Sequence, residues 1–533
     1  MEFDFIIVGA GSAGCALAHR LAENGQYKVA LLEAGGKDTN PWIHIPVGYF
    51  RTMGNPKTDW QYVTEADEGI AGRSIPWPRG RVLGGSSSIN GLLYVRGQAQ
   101  DYDDWAQNGC DGWGWDEVLP YFQRSETWEM QDETGLRGRE GPLSVQNSRL
   151  RRKVVDYWVD AAEAAGYKRN SDYNAFDQEG VGHFQLTMKK GRRCSSAVAY
   201  LAPARKWSNL TILTNAHTQN ILIKDGQAHG VRLRYQGEMQ DIYAKKEVIL
   251  CAGAIGSPQL LMLSGIGDAQ HLRSHGIEVQ QELKGVGKNL QDHLQARPIF
   301  KTDLSTINIE TSNIFKQALI ALQYILTQKG PMTMAASLGT GFLKTDPSLD
   351  RADIQFHIQP FSADSPAQGA HPFSAFTASV LQLRPQSSGH LSLRSSSMDD
   401  HPEIYPNYLS TELDCKTIVK GIQIARKIAQ FEPLKSHISE EYAPGNHVGF
   451  DDEEAILNWA RHSSVTIYHP TGTCKMGKDP MAVIDPKLRV YGVKNLRVAD
   501  ASIMPQIVSG NTNAPAIMIG EKASDIILAD ARG

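Results

Sequence analysis

Short runs of apolar residues, each stopped by glycine, set the first elements of the chain. Phe5-Ile-Ile-Val8 is continuous in apolar side chains, the pattern of a strand covered on both faces. Glycines follow at once, and Ser12 to Glu23 then carries helical spacing. A second apolar run, Lys28-Val-Ala-Leu-Leu32, ends at the acid Glu33, so the opening reads as a β-α-β unit. From Gly35 to about Trp115 the chain is rich in Gly, Pro, Trp and Tyr with few helical periods, which predicts long excursions over a surface. Glu247-Val-Ile-Leu-Cys251 leads through Ala252-Gly-Ala-Ile-Gly-Ser-Pro258 into a helical stretch and so repeats the strand, turn, helix order of the beginning. Alternation in Ile354-Gln-Phe-His-Ile358 and Ala378-Ser-Val-Leu-Gln-Leu383 predicts strands of a separate sheet. Ile314 to Leu326 is an apolar helix-like segment that fits a lid, a core helix or a peripheral membrane contact. It is too short to span a bilayer, which needs about 18 apolar residues or more.

These elements predict an α/β chain, α+β overall, with a Rossmann-like dinucleotide-binding domain and a second domain on a separate sheet. Residues 1–300 form the N-terminal part, 301–465 the substrate-facing domain, and 466–533 a segment returning to the first domain. At 533 residues two or more lobes are expected, with interior enough for a large cofactor. A net charge of −4 offers no basic field for nucleic acid. The six cysteines include no C-x-x-C pair, which argues against a zinc cluster or a disulfide framework and suits a reducing compartment. No metal is expected. Met1 to Gly9 has no charged segment or cleavage site ahead of the strand, so a cytoplasmic protein is expected, with any attachment to the inner membrane peripheral.

Gly9-Ala-Gly11-Ser-Ala-Gly14 follows the first strand and opens a helix, the context in which G-x-G-x-x-G binds a dinucleotide. The first glycine allows the turn, the second the approach of a pyrophosphate, and the third close helix packing. Amides near Ser12 and Ala13 would face phosphate oxygens. Glu33, about 20 residues after Gly14, stands where a carboxylate accepts from a ribose. The fingerprint fits NAD and FAD equally, since both carry ADP.

Three distant segments break that tie. They are Gly80-Arg-Val-Leu-Gly-Gly-Ser-Ser-Ser-Ile-Asn90, running through Gly91 to Tyr94-Val-Arg-Gly97; Gly253-Ala-Ile-Gly-Ser-Pro through Ser264-Gly-Ile-Gly267; and Tyr468-His-Pro-Thr-Gly-Thr-Cys-Lys-Met-Gly477 with Val498-Ala-Asp-Ala-Ser and Gly510-Asn-Thr-Asn-Ala-Pro515. Together they resemble the glucose-methanol-choline (GMC) oxidoreductases, in particular the choline-dehydrogenase-like branch and the aliphatic alcohol dehydrogenases of bacteria.

The resemblance implies a substrate-binding domain built on a mostly antiparallel sheet with helices, and FAD with Val82, Asn90, Gly91 and Leu93 along the flavin and its chain, Thr218 on the adenine side, and Asp500 and Ala501 near the ribityl or pyrophosphate. Ala34, Gly84, Tyr468, Asn511 and Thr512 join the expected cofactor contacts. Some relatives link flavin covalently through a histidine in the glycine-serine loop; Ile89 stands there, so the FAD is expected to be non-covalent. His469 matches the family's catalytic histidine and Asn513 its second active-site position. The implied reaction takes a hydroxyl proton onto His469, fixes the oxygen with Asn513 and passes hydride to flavin N5, oxidising a primary alcohol to an aldehyde. His357 fits a pocket residue or a core or surface histidine. A quinone or respiratory carrier is the expected acceptor. An oxidase, a choline dehydrogenase, a flavin-dependent lyase or decarboxylase, and a catalytically silent FAD-binding protein remain as alternatives.

Overall fold

A computed structural model describes residues 1–364 and 369–532. The first apolar runs pair in parallel: Glu2–Val8 lies between Val29–Glu33 and the C-terminal half of Glu238–Leu250, with Leu210–Thr214 beyond Val29–Glu33 and Leu496–Val498 beyond Glu238–Leu250. Phe5, Ile6, Ile7, Val29, Ala30 and Leu31 are fully buried, as a sheet covered on both faces requires. Each such aliphatic side chain contributes roughly 1.5–3 kcal/mol on burial. The N-terminal half of Glu238–Leu250 leaves this parallel core and pairs antiparallel with Gln227–Tyr235, which pairs in turn with Ala216–Lys224. That meander extends the sheet to seven strands.

The helix Ser12–Glu23 follows the first strand and packs against the last helix, Asn513–Arg532. Their approach is close because Gly520 has no side chain: a Cβ there would lie 2.3 Å from the carbonyl oxygen of Ala13. The C-terminal segment thus returns to the dinucleotide-type domain and lies beside its fingerprint.

The second sheet has eight strands, and all its pairs are antiparallel. Its centre holds Ile354–Gln359 and Ala375–Gln382, within a residue or a few of the spans expected from alternation. Gly180–His183 and Leu294–Ala296 join it from outside 301–465, and Ile299–Thr302 and Val465–Thr466 straddle the two ends of that range. Helix Glu412–Ile428 lies over it, its Gly421 against Val380, and Trp158 of helix Lys153–Ala164 packs on Phe356.

Two expectations left open by the sequence are narrowed by the structure. The Gly35 to Trp115 stretch is largely irregular but carries a nine-residue helix, Ala99–Gln107, at whose start the Asp101 carboxylate accepts from Gln98 N at 2.9 Å. The segment from Ile314 forms the helix Ile314–Thr327, yet Tyr324 is its one buried residue, so it is not a core helix. No helix among the described residues is long and apolar enough to cross a membrane.

Candidate active site and dinucleotide cradle

The ends of the parallel strands form a cradle of backbone. Gly9 holds φ +105°, and a Cβ there would meet the Cys251 carbonyl at 2.4 Å; a Cβ on Gly14 would meet Gly9 O at 2.0 Å. Gly85 lies so near that its Cβ would sit 2.7 Å from Gly11 Cα. The glycine-serine loop and the fingerprint therefore touch main chain to main chain. Gly11 and Gly36, in contrast, have nothing nearer than 3.9 Å where a side chain would begin, so they border open space. The helix from Ser12 directs its first unpaired amides toward this end of the sheet.

Glu33 closes the second strand with its carboxylate held by the amides of Ala10 and Gly35 at 3.1 and 2.8 Å, next to Ala34. Burial pushes its pKa up to about 7. Val82 bridges to Gly36, Gly84 turns with φ +89°, and Leu93 bridges to Leu186. A Cβ on Gly91 would be 2.4 Å from Ala336 Cβ. Asn90 Oδ1 accepts from Arg193, whose guanidinium also binds Ile43 O and Ser87 O. Asp500 accepts from Gly253 N, Ser257 Oγ and Ser502 N, with Ala501 beside it.

Several polar atoms around these loops are buried without a partner: Arg193 Nη2, Arg81 Nε and Thr218 Oγ1. A buried donor without a partner costs about 1–3 kcal/mol. Open glycine-bordered space, exposed helix amides and unsatisfied donors together fit a bulky, phosphate-bearing cofactor.

The second cluster forms where the antiparallel sheet meets the returning C-terminal segment. His469 follows the short strand Val465–Thr466, and Tyr468 before it holds φ +70°, uncommon for a bulky residue and found where a site constrains the chain. Asp292 anchors the turn: His469 N donates to Oδ1 at 2.7 Å, while Thr466 Oγ1 and Tyr408 OH donate to Oδ2 at 2.6 and 2.5 Å. Hydrogen bonds to a charged acceptor contribute about 1.5–3 kcal/mol each, so this set holds His469 firmly.

Neighbouring groups fix the tautomer of His469. His293 Nε2 lies 2.9 Å from the Leu383 carbonyl, which can only accept, so Nε2 carries the hydrogen. Nδ1 of a neutral His293 is then an acceptor, and His469 Nδ1, 3.0 Å away, donates to it. His469 Nε2 is left as the unprotonated nitrogen, and its lone pair accepts from Asn511 Nδ2 at 3.1 Å. Gln355 Nε2 donates to Asn511 Oδ1 at 3.3 Å and sets the amide's orientation.

Burial keeps this group neutral. It drives the His469 pKa well below 6.5, with His293, His357 and Arg79 adding repulsion, and lowers His293 to about 4. His357 is buried rather than on the surface, its pKa lowered to about 3 chiefly by burial, and Nδ1 is 3.4 Å from Ser337 Oγ.

The sequence pairing of His469 with Asn513 is corrected here. Asn513 Oδ1 accepts from Ser12 Oγ at 2.7 Å, at the fingerprint, because Asn513 already begins the terminal helix. Asn511, two residues earlier and expected on the cofactor, is the amide at His469; Thr512 lies between them. The sequence did hold a signal: Pro515 suits a first helical turn, where its missing N–H goes unused. That places Asn513 inside the helix. His293 was missed altogether, since no local pattern connects it to a residue 176 positions away.

Family models for the N- and C-terminal parts of the GMC oxidoreductases match residues 3–295 and 385–520. The chain belongs to the GMC oxidoreductase family. The GMC protein is 42% identical to an alcohol dehydrogenase [acceptor] of Pseudomonas putida, across 99% of this chain and 96% of that one. It is also 42% identical to the mitochondrial choline dehydrogenase of Homo sapiens, across 99% of this chain and 90% of the human one. Among solved structures, pyridoxine 4-oxidase from Mesorbium loti superposes with TM-score 0.88 at 31% identity, covering 98% of both chains. A formate oxidase of Aspergillus oryzae gives TM-score 0.92 at 28% identity, over 100% of this chain and 99% of that one. This GMC protein is an FAD-dependent oxidoreductase. Among the described residues no cluster of three or more His, Cys, Asp or Glu is arranged for a metal ion.

Proposed function

We propose that this enzyme oxidises a primary alcohol, aliphatic or aromatic, to the aldehyde and passes the electrons to a quinone or another carrier. The observation that carries the reading is the chain of contacts from the Leu383 carbonyl through His293 to His469 and Asn511, from which the tautomer of His469 follows. A carbonyl sets His293, His293 sets His469, and the lone pair of Nε2 faces the Asn511 amide. An alcohol entering between them donates its proton to His469 Nε2 and accepts from Asn511 Nδ2, while Asp292 holds the His469 backbone and His293 keeps the imidazole from turning. FAD, when bound, supplies the hydride acceptor.

We assign the cradle to 1–300 and 466–533, and substrate contacts mainly to 301–465. Gly9, Gly11, Ser12, Ala13, Gly14, Glu33, Ala34, Val82, Gly84, Asn90, Gly91, Leu93, Thr218, Tyr468, Asp500, Ala501 and Thr512 are the proposed cofactor contacts, now joined by Asn513. The amide role passes to Asn511, and this exchange is testable. Asn511→Ala is expected to lower kcat/KM for the alcohol by about tenfold to a hundredfold, in the range of a lost transition-state hydrogen bond. Asn513→Ala should instead weaken FAD retention and leave the rate per bound flavin nearly unchanged. Steady-state rates normalised to flavin content separate the two, and the opposite ranking would return Asn513 to the alcohol.

A neutral alcohol suits the site better than choline. Binding a trimethylammonium calls for a carboxylate or aromatic cage, whereas the carboxylate beside His469, Asp292, is engaged by three donors. The similarity to the P. putida alcohol dehydrogenase [acceptor] is compatible with a carrier, and the equal similarity to oxygen-dependent choline dehydrogenases makes oxygen the alternative to test. Linear, aromatic and cationic alcohols assayed with an artificial acceptor, with and without oxygen, test the whole reading. Stoichiometric hydrogen peroxide would make the protein an oxidase, and a preference for choline would overturn the substrate.

FAD is proposed to be dissociable, because buried Ile89 stands in the glycine-serine loop and carries no atom for a covalent link. Acid precipitation should leave a colourless pellet and a yellow supernatant. Flavin that stays with the pellet contradicts this.

A further inference from the structure

The helix Ile314–Thr327 turns its apolar side away from the protein. Ile314, Phe315, Leu319, Leu322, Ile325 and Leu326 are between 52% and 80% exposed. At about 100° per residue they fall within an arc of roughly 140°. Tyr324 projects on the opposite side, where its hydroxyl donates to Gly191 O at 3.1 Å and anchors the helix to the body. This is the reverse of an ordinary surface helix, which buries its apolar stripe. Contiguous exposed apolar area of this kind marks a contact surface.

The surface continues beyond the helix. The turn Pro331–Thr333 that follows it packs against Pro46–Gly48, between the short helices that expose Trp42 and Phe50. Pro41–His44, which bears Trp42, packs in turn against Arg192–Arg193.

The exposed charges on the helix and around its anchor are mostly basic, with the acid Glu129 joined through Ser144 to the carbonyl of Met188, next to Lys189. Lys316 and Lys329 are exposed on and just after the helix, and Lys189, Lys190 and Arg192 are exposed around Gly191, on which Tyr324 rests. Residues 311–345 contain no Asp or Glu, and the acid just ahead, Glu310, is held by Arg152 at 2.5 Å. The chain as a whole carries −4, so the basic rim is local to this face.

We propose that this face docks the enzyme on an anionic phospholipid membrane, with the helix lying flat in the interface and the lysines on lipid phosphates. A fourteen-residue helix is about 21 Å long, too short to cross but suited to lie in the plane. A second copy of the chain fits less well. A two-fold contact sets each patch against itself and would bring one basic rim onto the other. Lipid headgroups offer the complementary charge. The docking is independent of the alcohol chemistry proposed above, and vesicle binding is read without a turnover assay.

The test is co-sedimentation of the purified full-length holoenzyme with vesicles of equimolar phosphatidylcholine and phosphatidylglycerol, against phosphatidylcholine alone. Binding to the mixed vesicles is expected, about tenfold weaker without phosphatidylglycerol and weakened by salt. L319E/L322E should lose tenfold or more of the affinity and K189E/K190E several-fold, both with unchanged flavin content. Hydrogen exchange on the wild-type enzyme, which needs no variant, should show slowed exchange across 314–327 when vesicles are added. Absence of sedimentation, equal binding by L319E/L322E, or exchange at 314–327 indifferent to vesicles overturns the proposal. So does a solution dimer that L319E/L322E dissociates, which would make the face a contact between copies.

Discussion

His469→Ala is expected to purify yellow and to reduce its flavin with alcohol, in the absence of oxygen, at least a hundredfold more slowly than the wild type. The scale is that of a lost general base, about 10²–10⁴. FAD should stay because the cradle at Gly9, Gly14 and Gly85 is built from other segments, whereas His469 is held by Asp292 and His293. Stopped-flow flavin absorbance gives the rate, and a reduction rate within a few-fold of wild type would remove His469 from the chemistry. The same measurement against pH reads the electrostatics. A lowered imidazole pKa means that the neutral base persists as pH falls, so the acid limb of kcat/KM should lie below the ordinary histidine value of 6.5. A limb at or above 6.5 that vanishes in His469→Ala would contradict the burial argument.

Gly14→Val is expected to yield protein without flavin, or protein that fails to accumulate in soluble form. The first carbon of any side chain at Gly14 falls 2.0 Å from Gly9 O and 3.1 Å from Cys251 Cβ, and the nearest obstacle is backbone. No rotamer relieves it. Either the helix Ser12–Glu23 moves off the sheet, with its N-terminal amides, or the turn at Gly9 deforms. Flavin released per mole of protein measures the outcome, and a normal flavin complement would show that the turn tolerates what its geometry forbids.

These two variants separate two kinds of information. Gly9, Gly11, Gly14 and Glu33 could be read from the sequence because the motif is local: a strand, a turn and a helix, all within about thirty residues. The strands at Phe5, Val29, Glu247, Ile354 and Ala378 were legible for the same reason, since burial on one or both faces is written into consecutive side chains. The meander Ala216–Tyr235 was less legible, with half-exposed strands and a broken alternation.

Local order could not choose between two asparagines two residues apart. Asn511 and Asn513 have the same chemistry, and only the start of the terminal helix sends one to His469 and the other to Ser12. Likewise the apolar stripe from Ile314 is identical in sequence whether it is buried or bare. What decides is whether the body offers a groove, and here, among the helix residues, Tyr324 alone is buried, with its hydroxyl on Gly191 O.

By itself the sequence determined the dinucleotide-type β-α-β start, the resemblance to the GMC oxidoreductases and the presence of His469. Each of these rests on residues adjacent in the chain or matched segment by segment. The tertiary structure decided what His469 can do. Its tautomer depends on His293 and, through it, on the Leu383 carbonyl, and its backbone is held by Asp292; these groups lie 86 to 177 residues away in the chain and are joined by contacts of 2.7–3.0 Å that folding makes. Proton position is a property of contacts, and contacts at that separation are made by folding.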